Sequence, residues 1–106
     1  MKNFNEFKAF ESKITLDLPE GWKKSNKSIR KEFKFKNFLT AMGFINGVGE
    51  IANRMNHHPK MTIDFNLVLI ETTTHEEGKV TNKDLDLAEA INSLYPDRKK
   101  LSNRFS

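Results

Sequence analysis

His57-His58-Pro59-Lys60-Met61-Thr62-Ile63-Asp64-Phe65-Asn66-Leu67-Val68-Leu69-Ile70 is the stretch in which the chain changes its period. Upstream of it, Phe38, Met42, Ile45, Val48, Ala52 and Met55 recur at helical spacing behind Asn37, a residue type suited to an N-cap. The spacing predicts a helix from there to about Asn56, and Pro59 is expected to end it, because residues before proline avoid helical backbone angles. Downstream, Met61, Ile63, Phe65, Leu67 and Leu69 alternate, and Val68 and Ile70 make the run continuous through Leu67–Ile70. Period two is the pattern of a strand with one buried face. A break near Asn66 gives two short strands or one long bent strand.

The flanks repeat the theme. Pro19-Glu20-Gly21 reads as a turn. Trp22 to Ser25 is a short strand, Asn26-Lys27 reverses the chain, and Ile29, Phe33 and Phe35 share one face of a second strand. Phe4, Phe7, Phe10 and Ile14 place a short helix over residues 3–13. His75-Glu76-Glu77-Gly78 is a loop. Thr81 caps a last helix from about Asn82 to Leu94, with Leu85, Ala88 and Ile91 on its core face. The sum is α-β-β-α-β-β-α: an α+β fold of two layers, a four-stranded antiparallel sheet with helices on one face. Gly43, Gly47 and Gly49 each weaken the central helix by about 1 kcal/mol relative to Ala. They point to close packing against the sheet or another subunit. The uncovered part of the sheet calls for a partner copy.

The 106 residues suit a single domain over 1–106, with its core over about 14–94 and a basic tail over 97–106. Nine Phe supply core bulk in a chain only 37% apolar. The net charge of +4 comes from dispersed lysines, and no aromatic–basic reader motif accompanies them, so nucleic-acid binding is not expected. The absence of cysteine excludes disulfides, thiolate nucleophiles and Cys-based zinc sites. No apolar run suggests a signal peptide or membrane span, and a cytoplasmic protein is the expectation.

All three histidines fall between positions 57 and 75: His57, His58 and His75. Imidazole exchanges protons near neutral pH. The pair sits where the helix stops and His75 sits where the second strand pair closes, so one rim of the sheet can gather them for acid and base work on a small polar substrate. Asp84 opens the last helix and could face the same rim, where a carboxylate would fix an imidazole tautomer. Plainer readings stand beside these. A His pair at a helix end satisfies the last carbonyls. Asp84, three residues after Thr81, completes a capping box. Adjacent histidines rarely reach one ion, so no metal site is expected. No serine elbow or phosphate loop is present.

The spacing carries a resemblance. His57-His58-Pro59, five residues, Phe65, nine residues, His75, eight residues and Asp84 resembles the signature of the pterin-4a-carbinolamine dehydratases. Gly21-Trp22, Phe33 to Phe38, Gly43-Phe44, Thr73-Thr74-His75 and Asp84 to Ala88 are similar to that family's blocks, over about residues 14–94. The resemblance implies dehydration of 4a-hydroxytetrahydropterin to quinonoid dihydropterin and water, which recycles the cofactor of aromatic amino-acid hydroxylases. It implies no metal and no bound cofactor, and a homodimer or homotetramer. It makes His57, His58 and His75 catalytic and sets Asp84, Thr74, Pro59 and Met61 against the substrate. Two positions depart from the family pattern. Asn53 stands where a glutamate is common, which removes a carboxylate support for His57 that Glu50 could replace only weakly. Met61 stands where a tryptophan is common, which removes a stacking surface. Some relatives of this fold act as dimerisation partners of a transcription factor or as assembly factors, so a non-catalytic adaptor is the alternative function.

Overall fold

The structure, a computed structural model, describes residues 18–95. The helix expected over 3–13 and the tail over 97–106 lie outside the described residues. Within them the order is β1 (Lys23–Ser25), β2 (Ser28–Lys34), α1 (Phe38–Met55), β3 (Lys60–Asp64), β4 (Leu67–Thr72) and α2 (Asn82–Leu94). The four strands form one antiparallel sheet in the order β1-β2-β4-β3. This is the expected α+β class.

Two tight hairpins set the sheet. Asn26 turns β1 into β2 with a left-handed φ of 57°, which asparagine tolerates. Phe65 takes φ 56° between β3 and β4. That conformation is unusual for a bulky side chain, and Phe65 is 64% exposed there. The loop is held at its base: Phe35 donates its amide to the Asn66 carbonyl, and the Asn66 side chain donates to the Phe35 carbonyl. The register puts Phe33 beside Val68, Val68 beside Ile63 and Ile70 beside Met61, so one face is apolar.

Both helices cover that face. Ile29, Phe33, Val68 and Ile70 share one core with Ala41, Phe44, Val48 and Ala52 of α1 and Leu87, Ala88 and Ile91 of α2. The helical stripes are rotated from those the sequence suggested. On α1 the buried set is Ala41, Phe44, Val48 and Ala52, while Phe38 and Met55 are exposed and Leu39 is 79% exposed. Small Ala41 lets the helix approach the sheet, and Phe44 enters an aromatic cluster with Phe33, Phe35 and Tyr95 at centroid distances of 4.8–5.8 Å. On α2, Leu87 is fully buried and Leu85 only partly, because buried Asp84 fixes which side of the first turn faces inward. Tyr95, beyond the expected helix end, closes the cluster and donates its hydroxyl to the Lys34 carbonyl at 2.8 Å.

The glycines of α1 divide. A Cβ on Gly47 would stand 2.6 Å from the tip of the Leu94 side chain, so α1 packs closely on α2 there and a larger residue would have to displace Leu94. Gly43 and Gly49 face open space. On the inner strand β2, the Lys31 ammonium lies 4.8 Å from the centre of the Phe33 ring and donates to Asn92 and to the Glu20 carbonyl. Burial pushes the Lys31 ammonium below its ordinary range, against the raising effect of Glu20.

Candidate active site

The geometry begins where α1 ends. Asn56 takes a left-handed φ of 55° and its amide reaches the Asn53 carbonyl, while the His57 amide reaches the Ala52 carbonyl at 3.1 Å. This paired closure is a Schellman motif. The helix therefore stops at Met55 through Asn56, three residues before the Pro59 to which the sequence reading gave that role. Asn56 is a residue that can pass through αL, and the cap fixes the His57 backbone against the helix end.

From that anchor the His57 ring turns inward. Its side chain is 11% exposed, and Nε2 lies 2.7 Å from Asp84 Oδ1. Asp84 is 0% exposed. It is held on every side: Oδ1 also accepts the Thr72 hydroxyl at 2.6 Å, and Oδ2 accepts the Thr74 hydroxyl at 2.7 Å and the Thr81 amide at 2.9 Å. The Thr74 and Thr81 hydroxyls touch at 2.7 Å. The capping box read from the sequence is present, and the same carboxylate grips His57, so capping and histidine support are one device. Burial pushes the Asp84 carboxyl up. Hydrogen bonds from Thr72, His57, the Thr81 amide and Thr74 outweigh it, and the group sits below the usual carboxylate range. An ionised Asp84 can only accept, so the proton of the shared bond lies on Nε2, and in the neutral ring the lone pair falls on His57 Nδ1.

The other candidates are placed differently. His58 is exposed. His75 is exposed in a loop that folds back on Thr74, whose carbonyl accepts the amides of Glu77 and Gly78, with Gly78 at φ 68°. His75 lines an open cavity of about 500 Å³ together with Ser25, Lys27, Ser28, Glu71 and Thr73. The strand alternation explains the split: Thr72 and Thr74 point to Asp84 on the helix side, whereas Glu71, Thr73 and His75 line the cavity. His57 and His58 are not among the cavity's lining residues. Pro59 is half-buried, and Met61 packs against the core from β3. Thr74 is buried with its hydroxyl engaged, as Asp84 is. Asn53 and Glu50 are exposed on α1, and Asp84 supplies the carboxylate for His57. Thr72 escaped the sequence reading. The signal was its two-residue offset from Thr74, which puts both hydroxyls on one side of the strand.

Known proteins fit this picture. A family model described as pterin 4 alpha carbinolamine dehydratase matches residues 5–94. A Sulfolobus acidocaldarius protein provisionally named a pterin-4-alpha-carbinolamine dehydratase is 43% identical over 79% of this chain and 92% of its own length. A Prochlorococcus marinus relative with the same provisional name is 45% identical over 74% of this chain and 83% of its own. A crystal structure described as a transcriptional coactivator/pterin dehydratase from Brucella melitensis superposes with a TM-score of 0.76 at 32% identity, covering 82% of this chain and 95% of that one. A pterin dehydratase-like RuBisCO assembly factor of the alpha-carboxysome shares the fold alone, at 13% identity and a TM-score of 0.60 over 72% of this chain and 88% of that one. With the fold, the histidine spacing and the extent of these matches in agreement, the chain belongs to the pterin 4 alpha carbinolamine dehydratase family.

Proposed function

We propose that this protein dehydrates 4a-hydroxytetrahydropterin to quinonoid dihydropterin and water, with His57, His58 and His75 as its proton-transfer groups. The observation that carries the reading is the His57–Asp84 contact at 2.7 Å with the carboxylate sealed from solvent. Such a carboxylate orients the ring and commits its Nε2 proton, so Nδ1 is the base that takes the proton from N5 of the pterin. The hydroxyl on C4a leaves as water with a proton from one of the exposed rings, His75 or His58. The N5 proton and the hydroxyl depart, a C4a–N5 double bond forms, and no redox partner is needed. Asp84 and Thr74 act from behind His57 rather than at the substrate. Pro59 and Met61 sit on the segment that leads from the histidine pair into β3 and border the ring's approach. A homodimer or homotetramer in the cytoplasm completes the proposal.

The test is conversion of freshly generated 4a-hydroxytetrahydropterin by the pure protein beside His57→Ala. A rate at least tenfold above the variant supports catalysis. Equal rates favour the second reading, a non-catalytic dimerisation or assembly partner. That reading draws on the outward Phe38 and Leu39 of α1, an apolar strip available to another protein.

A further inference from the structure

The two oxygens of Asp84 have separate duties. Oδ2 serves the start of α2 through the Thr81 amide and the Thr74 hydroxyl. Oδ1 serves His57, and the other donor on that oxygen is the Thr72 hydroxyl at 2.6 Å. Thr72 is 2% exposed and shares its face of β4 with Val68 and Ile70. Packing there would accept valine, which has the same shape, and a hydroxyl in such surroundings costs free energy unless it is bonded. Its single acceptor is the oxygen that orients the histidine.

We infer that Thr72 is a positioning residue that shares Oδ1 with His57 and thereby sets the pH at which the His57 ring changes charge. A hydroxyl donating to Oδ1 withdraws part of the negative charge that the protonated ring would otherwise enjoy. It also pins the oxygen in place, so the ring is aimed by two anchors, the α1 cap and Thr72. Among the described residues, the neighbouring charged groups point to solvent or to the other side of the strand. Arg54 of α1, Lys60 of β3, Lys83 of α2 and the neighbouring His58 are all exposed, and Glu71, next to Thr72, lines the cavity on the opposite side. Among the described residues, His57–Asp84 is the one pair within ion-pair distance. The link from this device to turnover rests on the dehydratase reading, whereas the device itself does not.

The experiment compares Thr72→Val and Thr72→Ser with the wild type in the full chain, following the His57 ring protons by NMR against pH and the dehydratase rate over the same range. Valine deletes the donor at constant shape, and serine keeps it. The valine variant is expected to move the His57 midpoint up by about half a pH unit or more, roughly a threefold loss of neutral ring at a fixed lower pH. Serine should stay close to wild type, and the acid limb of the rate should follow the midpoint. Should valine fail to fold, Thr72→Ala deletes the same donor and is read in the same way. An unchanged midpoint in the donor-deleted variant, or equal displacement by serine and valine, overturns the inference. A moved midpoint with an unmoved rate profile upholds Thr72 as the tuner and removes His57 from the proposed chemistry.

Discussion

Replacing Asp84 by asparagine changes charge while nearly preserving shape, and the structure says how each contact responds. The Thr81 amide, 2.9 Å from Oδ2, is a backbone donor that cannot turn away, so the asparagine oxygen takes that place and keeps the Thr74 hydroxyl as well. The new NH2 then occupies the Oδ1 place, opposite the Thr72 hydroxyl and His57 Nε2. A hydroxyl can rotate to accept, and an imidazole can carry its proton on Nδ1 and accept at Nε2. The Thr72 O–H, 2% exposed and left facing an NH2 that cannot accept, loses its acceptor. That orphaned donor and the change of three charge-assisted bonds to neutral ones are partly offset by the lower cost of burying an amide than a carboxylate, for a net loss of about 2–4 kcal/mol. In a domain of this size that lowers Tm by roughly 10–30 °C. Activity suffers far more, because the lone pair of His57 now faces the asparagine rather than the substrate. A base held in the wrong tautomer forfeits roughly 10²–10⁴-fold in kcat. Urea titration, a rapid-mixing dehydratase assay and nitrogen NMR of the ring read the three consequences together. Wild-type kcat, or a His57 proton still on Nε2, would refute the assignment of Asp84 as the group that sets the tautomer.

His75→Ala should fold normally, since the side chain is exposed, yet lower turnover at least about tenfold; undiminished turnover takes His75 out of the mechanism. Because the Asp84 carboxyl titrates lower in the fold than in the unfolded chain, the unfolded chain binds more protons between the two values. The stabilisation is complete above about pH 4 and disappears as pH falls through the depressed value. Urea midpoints from pH 6 downward should show this loss in the wild type and not in Asp84→Asn; parallel curves contradict it. Gly43→Ala and Gly49→Ala should each raise stability by about 0.5–1 kcal/mol in thermal melts, as an added Cβ meets nothing within 4 Å. Gly47→Ala should gain less, because its Cβ meets Leu94 at 2.6 Å; equal gains at all three positions would mean that Leu94 yields freely.

Much of this protein was legible in its residue order. The switch from helical to alternating spacing around Pro59, the Asn26-Lys27 reversal, the break near Asn66, and the Asn37 and Thr81 caps depend on neighbours a few positions apart, so local chemistry decides them; that the break is a hairpin with Phe65 at φ 56°, rather than a bend in one long strand, appears only in the fold. The spacing of His57, His58, His75 and Asp84 pointed to the family before any contact was known. Which side of each helix turned inward was not legible. The largest apolar residues of α1 suggested Phe38 and Met55, but fitting a helix against a sheet favours Ala41 at the closest approach and leaves Phe38 and Met55 exposed. In the sequence Pro59 is the residue that ends α1, whereas in the fold a left-handed Asn56 stops it, a choice that appears only when its amide finds a carbonyl. The partition of the site was likewise tertiary. Residues 27 apart meet in the His57–Asp84 bond, and the parity of β4 sends Thr72 and Thr74 to that carboxylate while His75 faces the cavity. Sequence supplies the groups able to exchange protons. Only folding decides which of them shares a buried carboxylate, because that depends on long-range packing and on which donors are left with no other acceptor.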